Sequence, residues 1–148
     1  MDVSFTLTDN ATAYAASLMP RLSAVVRATT FEIEAHAKAA IQTGTKSGRV
    51  YTRIAKKGSR NSKGRFLKAG RRISHQASAP GEAPATDTGN LASSIQGSMD
   101  TPGGLSGTVN VGAEYGAILE PERPFMAPAA EAVKPGFDSA TARVLGGE

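Results

Sequence analysis

The sequence predicts an α+β fold with a long N-terminal helix, a C-terminal helix, a pair of short strands, and a basic hairpin or loop that projects from the body. Three observations lead to that prediction. Apolar residues recur at helical spacing between Leu18 and Ile41. Two short segments suited to strands flank the turn residues Pro102-Gly103-Gly104. Eleven of the 17 basic residues lie between Lys46 and Arg72, a stretch without any acidic residue.

The chain has 148 residues, a length typical of one domain. We therefore expect a single domain over residues 1–148. It divides by composition into a strand and long helix (1–44), a basic arm (45–76), and a sheet with the C-terminal helix (77–148).

The apolar content is smaller than the hydrophobic fraction of 40% suggests. Alanine accounts for 25 of these residues, whereas Val, Ile, Leu and Phe together account for 27. So few large apolar side chains bury little surface against the conformational entropy lost on folding. Contacts that only the folded state can make would add to its stability, so we expect an oligomer whose neighbours complete a thin core.

The sequence also predicts where the protein is made. The N-terminus begins Met1-Asp2, without the basic residues and apolar run of a secretory signal, and no stretch approaches the roughly 18 apolar residues of a membrane helix. The chain has no cysteine, which excludes disulfides and thiolate chemistry. We expect folding in a reducing cytoplasm and no membrane partner.

The first 44 residues predict a short strand and then a helix. Alternating apolar residues suit the strand, and two polar residues can cap the helix: Val3, Phe5 and Leu7, then Thr8 and Asp9. Pro20 fits either the first turn of a new helix or a kink within a continuous one. The helical stripe comprises residues 18, 22, 25, 26, 33, 37, 40 and 41, and Gly44 is the predicted stop.

The basic arm is predicted to form two strands, Val50–Ile54 and Phe66–Ile73, around a turn-rich tip at residues 56–64. Its positive charges repel one another unless an anion, an acidic protein or solvent screens them. We consider both non-specific DNA phosphate and an acidic neighbouring protein as partners. The candidate contact residues are Arg53, Lys56, Lys57, Arg60, Lys63 and Arg65.

The remaining chain begins with the proline-rich residues 78–85, for which no regular structure is expected. Asp87 or Thr88 is predicted to cap a short helix through Ile95. Strands are predicted near residues 96–101 and 105–112. A final helix is expected from about Ala129, with an interruption at Pro135-Gly136.

No catalytic, cofactor-binding or metal-binding residues are predicted, so the chain is not expected to be an enzyme. The two histidines, His36 and His75, lack metal-ligand spacing. Asp87-Thr88-Gly89 matches the triplet of aspartic proteases, whose chemistry needs two adjacent carboxylates at the end of an apolar strand. The preceding residues, Ala83-Pro84-Ala85-Thr86, do not suit such a strand, and a turn with a helix cap is the favoured interpretation.

From His75 onward, an ordered set of short motifs resembles the tail-completion, or head–tail joining, proteins of long-tailed bacteriophages. The segments are His75–Glu82 with Ala83-Pro84-Ala85, Thr88-Gly89-Asn90-Leu91, Ser94-Ile95, Val111-Gly112, Tyr115-Gly116, Glu120 and Arg123–Ala129. With the preceding helix, the resemblance covers most of the chain. The motif and interface residues it implies are His75, Ser78, Pro80, Gly81, Pro84, Thr88, Gly89, Leu91, Tyr115, Glu120, Arg123, Pro124, Phe125 and Pro128.

The resemblance implies that the long helix and the C-terminal helix pack on a small antiparallel sheet. It also implies a structural virion protein of the phage neck, made in the host bacterium. Copies would form a ring, with six as the expected number, between the tail tube protein and the head-side connector or portal adaptor. Packaged DNA would pass through the lumen. Two features depart from the family pattern: Glu120 runs directly into Pro121-Glu122-Arg123 through a shortened loop, and the basic segment is longer than usual. A non-specific DNA-binding module that uses the basic segment is the alternative.

Overall fold

A computed structural model describes residues 11–60, 65–87 and 89–146. The fold is α+β, as predicted. In chain order its elements are helix α1 (Ala11–Thr43), strands β1 (Val50–Ile54) and β2 (Arg72–Gln76), helix α2 (Asn90–Ser94), strands β3 (Ile95–Met99) and β4 (Gly107–Val111), and helices α3 (Gly116–Leu119) and α4 (Met126–Gly146). The strand and helix caps predicted at residues 3–9 lie outside the described residues, as do Lys63 and Thr88.

Helix α1 forms as its apolar spacing predicts. It is continuous over 33 residues, and Pro20 lies within it. Ala37 and Ile41 of the predicted stripe are buried, and its other members are half-buried. The helix ends where Gly44 donates its backbone N–H to the carbonyl of Ala40 at 3.1 Å. A Cβ at Gly44 would lie 2.3 Å from that oxygen, so glycine is needed for this ending.

The described residues form two separate two-stranded antiparallel sheets. Strands β3 and β4 make the small sheet of the body, with Gly97 opposite Val109, and their bounds fall within a few residues of the prediction. Strands β1 and β2 make the hairpin of the basic arm, with Thr52 opposite Ser74.

The second strand of the arm was predicted too early, at residues 66–73. It begins at Arg72, because Gly70 has a φ of 84° and interrupts the extended backbone. Before that turn, Phe66 forms only an isolated bridge with Arg60.

The core lies where α1, α2, β3 and the start of α4 meet. Among the described residues, three large side chains are almost fully enclosed: Phe125, Ile41 and Ile95. The rest of the cluster is mainly small, with Ala37, Leu91, Ala92, Ala113 and Ala129. Small side chains let backbones approach closely but bury little area each, so the core is as thin as the composition predicts.

Helix α4 runs without interruption from Met126 to Gly146, so the predicted break at Pro135-Gly136 is wrong. Pro135 is exposed, while Val133 before it and Val144 after it are buried along the face that packs on α1. This packing on both sides of the proline outweighs its missing hydrogen bond. No helix among residues 11–60, 65–87 and 89–146 is long and apolar enough to cross a membrane.

The cap predicted for α2 at Asp87 is also wrong. The N-cap residue is Gly89, with a φ of 79°, and it makes no side-chain capping hydrogen bond. Asp87 instead forms an ion pair with Arg53 of the arm. A glycine in the left-handed conformation turns the chain into this short helix without steric cost.

Helix α1 lies unusually close to the β3–β4 sheet at two glycines. A Cβ at Gly107 would lie 2.2 Å from Thr30 Oγ1, and one at Gly97 would lie 3.0 Å from Glu34 Oε2. Thr30 is buried, and its hydroxyl donates to the Val26 carbonyl at 2.8 Å, which restricts its movement. The spacing between helix and sheet therefore requires glycine at Gly107 and leaves little room for a side chain at Gly97.

We predict that Gly107→Ala destabilises the protein by about 1–3 kcal/mol, the usual cost of inserting a methyl group into a filled contact. Chemical denaturation measures the free energy of unfolding. The matched control is Gly136→Ala, where a Cβ would meet nothing within 4 Å. It should raise stability by up to about 1 kcal/mol, because alanine favours a helix more than glycine does. Equal stability of Gly107→Ala and the parent would contradict the close contact.

Candidate functional site

The candidate site is the basic arm, residues 45–76, together with its attachment to the body. The β1–β2 ladder continues at both ends: the Ala55 N–H donates to Arg71 O at 2.8 Å, and the Ala77 N–H donates to Arg49 O at 3.0 Å. The strands contact each other extensively and the other helices and strands at most slightly. The arm is therefore a hairpin that projects from the body.

The two faces of the hairpin differ. Cross-strand pairing places Tyr51 with His75 and Arg53 with Ile73 on one face, where all but Tyr51 are half-buried. The Tyr51 and His75 rings meet edge to face, with centroids 5.0 Å apart. The opposite face is wholly exposed and consists of Val50, Thr52, Ile54, Arg72, Ser74 and Gln76.

Asp87 ties the half-buried face of the arm to the body. Its Oδ1 lies 2.7 Å from Arg53 Nε and 3.9 Å from His75 Nδ1. Arg53, one of the predicted contact residues, thus has its guanidinium directed at the body. Among the described residues, Asp87 thus pairs with Arg53 and lies near His75. An aspartic protease would instead place a second carboxylate beside it.

Most other basic residues in the described part of the arm are exposed to solvent. Lys56, Lys57, Arg60 and Arg65, from the predicted contact set, are all exposed. Arg60 lies over the Phe66 ring, 4.1 Å from its centroid. Six exposed basic side chains have no hydrogen bond or ion pair with the described part of the chain: Arg49, Lys56, Lys57, Lys68, Arg71 and Arg72. The arm therefore offers a concentrated positive charge to a partner.

Glu82 fixes the base of the arm. Its carboxylate accepts the backbone N–H groups of Ser47 and Ala79, both at 2.8 Å, and the Ser47 hydroxyl. The Ser47 hydroxyl and the two N–H donors hold the pKa of Glu82 below its ordinary value. This residue joins the start of the arm to the proline-rich segment, residues 78–85.

Lys46 makes a second tie beside it. Its ammonium donates to Ala40 O at the end of α1, at 3.1 Å, and to Ala83 O, at 2.8 Å. Burial lowers the pKa of Lys46, against the opposing attraction of Glu82. The long helix, the arm and the proline-rich segment therefore meet at one junction.

The predicted motif residues of the proline-rich segment belong to this junction. Ser78 and Pro84 are buried, and Pro80 and Gly81 are exposed. The Gly81 N–H donates to Glu122 O at 2.8 Å, which connects the segment to the loop before α4. The segment thus lies between the base of the arm and the loop before α4.

The C-terminal motif residues organise the start of α4. The Glu120 carboxylate accepts the N–H groups of Phe125 at 3.1 Å, Met126 at 3.1 Å and Ala127 at 2.9 Å. It thereby satisfies donors that the first helical turn leaves unpaired. Glu120 makes this contact despite the shortened loop.

The other motif residues of this region have structural positions. Leu91 and Phe125 are in the core, Pro124 is half-buried, and Pro128 is exposed in the first turn of α4. Tyr115 OH accepts a hydrogen bond from Asn90 Nδ2 at 3.3 Å. Arg123 Nη1 lies 3.5 Å from the Glu122 carboxylate.

Sequence reasoning missed Glu82 and Lys46 as the residues that hold the arm. Lys46 is the first basic residue of the arm and Glu82 is the first acidic residue after it, but Ala83 and Ser47, which they contact, are far away in the chain and leave no sequence pattern. Among the described residues, no group of three His, Asp or Glu side chains could hold a metal ion. The prediction of no catalytic site stays a prediction.

Two surface clefts flank α1. An apolar groove of about 270 Å³ between α1 and α4 is lined by Thr29, Ile33, Ala130, Glu131, Lys134 and Phe137. A more polar cleft of about 510 Å³ lies between α1 and the β3–β4 turn, and Arg27 and Phe31 line it together with Met99 and Pro102.

We predict that the junction loosens in acid. The folded pKa of Glu82 is lowered, so the carboxylate stabilises the folded state above the ordinary pKa of 4.5, and this contribution is lost as pH falls below that value. Amide hydrogen exchange should show protection of Ser47 and Ala79 decreasing over this range. Glu82→Gln should reduce their protection at neutral pH and remove the change with pH, whereas Glu122→Gln should behave as the parent. Unchanged protection in Glu82→Gln would contradict the proposed tie.

We also predict that Glu120→Ala costs about 1–2 kcal/mol of stability, the range for loss of a helix cap. Thermal or chemical unfolding measures this change. Glu122→Ala is the control, because Glu122 is highly exposed and its ion pair with Arg123 is at the surface. Its effect should stay within about 0.5 kcal/mol. Equal effects of the two substitutions would contradict a capping role for Glu120.

Comparison of the chain with models of protein families, with curated proteins and with solved structures finds no match. A proposal for its function therefore starts from the geometry of the basic arm and its junction with the body.

Proposed function

We propose that this chain is a structural protein of the neck of a long-tailed bacteriophage. Copies form a ring that completes the tail and joins it to the head-side connector or portal adaptor, with DNA passing through the lumen. The observation that carries this proposal is the basic arm: a projecting, largely unsupported hairpin whose base is fixed by residues of the motifs that resemble the joining family. Such an arm suits a structural protein whose function is to bind neighbouring proteins in an assembly.

A partner that covers the hairpin would add to its stability. Isolated two-stranded hairpins are marginal in water, since one sheet face and two strand edges remain open. Here the open face exposes apolar side chains, with Val50 56% and Ile54 64% accessible. Covering these side chains in an assembly would stabilise the arm and fix its direction.

The body also has apolar surface available for contact. Ile118 of α3 is 76% exposed and Leu105 of the β3–β4 turn is 45% exposed. Together with the thin core, this surface supports a subunit that is completed by neighbours. Ring contacts are heterologous, so different patches on each copy would meet.

The proposed role requires no bond chemistry. The ring would match the tail tube protein on one side and the connector on the other, within the virion. To test this, a stop codon is introduced into the gene for this chain within the phage genome that carries it, and the particles produced are imaged. We predict DNA-filled heads and finished tails that remain separate in electron micrographs. Purified parent protein should join them and restore infectivity, and so should Gly136→Ala, whose change faces open space. Normal joined particles without the chain would contradict the proposal.

Non-specific DNA binding is the second candidate, favoured by the exposed basic side chains of the arm. It predicts an affinity for duplex DNA that falls steeply with salt. Lys56→Ala with Lys57→Ala should lower the salt slope by about two, because each lysine would neutralise one phosphate. Lys134→Ala, which removes an exposed charge from α4, is the control and should leave the slope unchanged. Unaltered DNA retention after removal of residues 55–64 would eliminate this candidate.

A further inference from the structure

Charge is divided sharply between the arm and the body. The segment from Lys46 to Arg72 carries 11 basic and no acidic residues, whereas the rest of the chain has 6 basic and 13 acidic residues. The formal charges are therefore +11 for the segment and −7 for the remainder. The arm projects away from its own body, and the ion pair that joins this segment to the body within the described ranges is that of Arg53 with Asp87. Exposed basic residues of the segment, Lys56 and Lys57 among them, are therefore available to acidic side chains of a second copy.

The arm offers a mixed apolar and basic surface. Ile54 is 64% exposed and Phe66 is 69% exposed, the two most accessible apolar side chains in the described part of the arm. Lys56 and Lys57 follow Ile54 closely, and neither ammonium has a partner among the described residues. A complementary site needs an apolar depression with carboxylates at its rim.

The groove between α1 and α4 has these properties. Ile33, Ala130 and Phe137 supply apolar walls, and Glu131 lines the groove. Glu32, on α1 one turn from Thr29 of the groove, is exposed as well. The carboxylates of Glu32 and Glu131 have no hydrogen bond or ion pair with any described residue.

Two further observations favour the α1–α4 groove over the second cleft as the site for a basic arm. Lys134, which lines the groove, is already paired with Asp138 at 3.0 Å. The cleft between α1 and the β3–β4 turn is lined by Arg27, which would repel a basic arm.

We propose that the basic arm of one copy binds the α1–α4 groove of a second copy, with the Ile54–Lys57 segment of the arm against Glu32 and Glu131. The contact is head to tail, because an arm against an arm would bring like charges together. This inference deepens the proposed ring and rests on it, since the same contact would repeat from subunit to subunit.

The experiment uses the absence of cysteine from the chain. Lys57→Cys places a thiol on the arm, and Ala130→Cys places one in the groove. The two variants are mixed at low ionic strength with a short bismaleimide crosslinker, and mass spectrometry identifies the products. We expect a heterodimer crosslinked between residues 57 and 130. The control pair is Lys57→Cys with Glu114→Cys, because Glu114 is exposed and outside the groove.

Charge reversal tests the recognition itself. Adding Glu32→Lys and Glu131→Lys to the groove variant should reduce the crosslinked yield about three- to tenfold at low salt. Adding Glu114→Lys should leave the yield unchanged, and raising the salt should lower the parent yield. The proposal would be overturned if the crosslinked yield equalled that of the control pair. It would also be overturned if reversing the charges of Glu32 and Glu131 left the yield unchanged. If joined particles still depend on the chain, that result removes this contact and leaves the proposed function standing.

Discussion

The close approach of α1 to the β3–β4 sheet is the constraint on which the rest of the fold depends. At Gly107 the helix is so near the strands that a side chain would collide with Thr30, and at Gly97 a side chain would lie tightly against Glu34 and Thr30. The Gly97 N–H donates to Glu34 Oε2 at 2.7 Å, so a charged hydrogen bond spans the same contact. Hydrogen bonds from Lys38 and then from Gly97 hold the pKa of Glu34 below its ordinary value. Because the chain has few large apolar residues, helix and sheet pack by close approach of their backbones at glycine and alanine positions.

Contacts with this body fix the base of the arm. Helix α1 supports both α4 and the sheet, and its C-terminal end is where Lys46 binds the Ala40 and Ala83 carbonyls. Glu82 and the Gly81 backbone then connect the arm to the loop before α4. The hairpin is thus held at its base and on one face, whereas its opposite face and most of its basic residues stay exposed.

Local patterns allowed much of the fold to be predicted. The spacing of apolar residues in α1, the stop at Gly44 and the turn at Pro102-Gly103-Gly104 all act through neighbours in the chain, so the sequence displays them. The errors arose where distant residues decide. Asp87 suits a helix cap by type, but Arg53, far away in sequence, takes its carboxylate. Pro135 suits a helix break, but packing on α1 keeps α4 continuous.

For the candidate site, the sequence shows the clustered basic residues and the short motifs, but it does not show which residues attach the arm to the body. The clustered basic residues predict an arm, whereas the backbone acceptors of Lys46 and the N–H donors to Glu82 become neighbours only after folding. The groove between α1 and α4 is likewise formed by two helices about 100 residues apart in the chain. The sequence does not show this groove, because it exists only where the two helices pack side by side.

We propose that each copy of this chain is one subunit of a neck ring and that its neighbours complete it. The most direct measurement is electron cryomicroscopy of the finished particle, with this chain placed in the density. The account predicts a closed ring between the tail tube and the head connector, with every arm lying on the α1–α4 groove of the adjacent copy. A chain found as separate copies, in contact with neither the tube nor the connector, would contradict it.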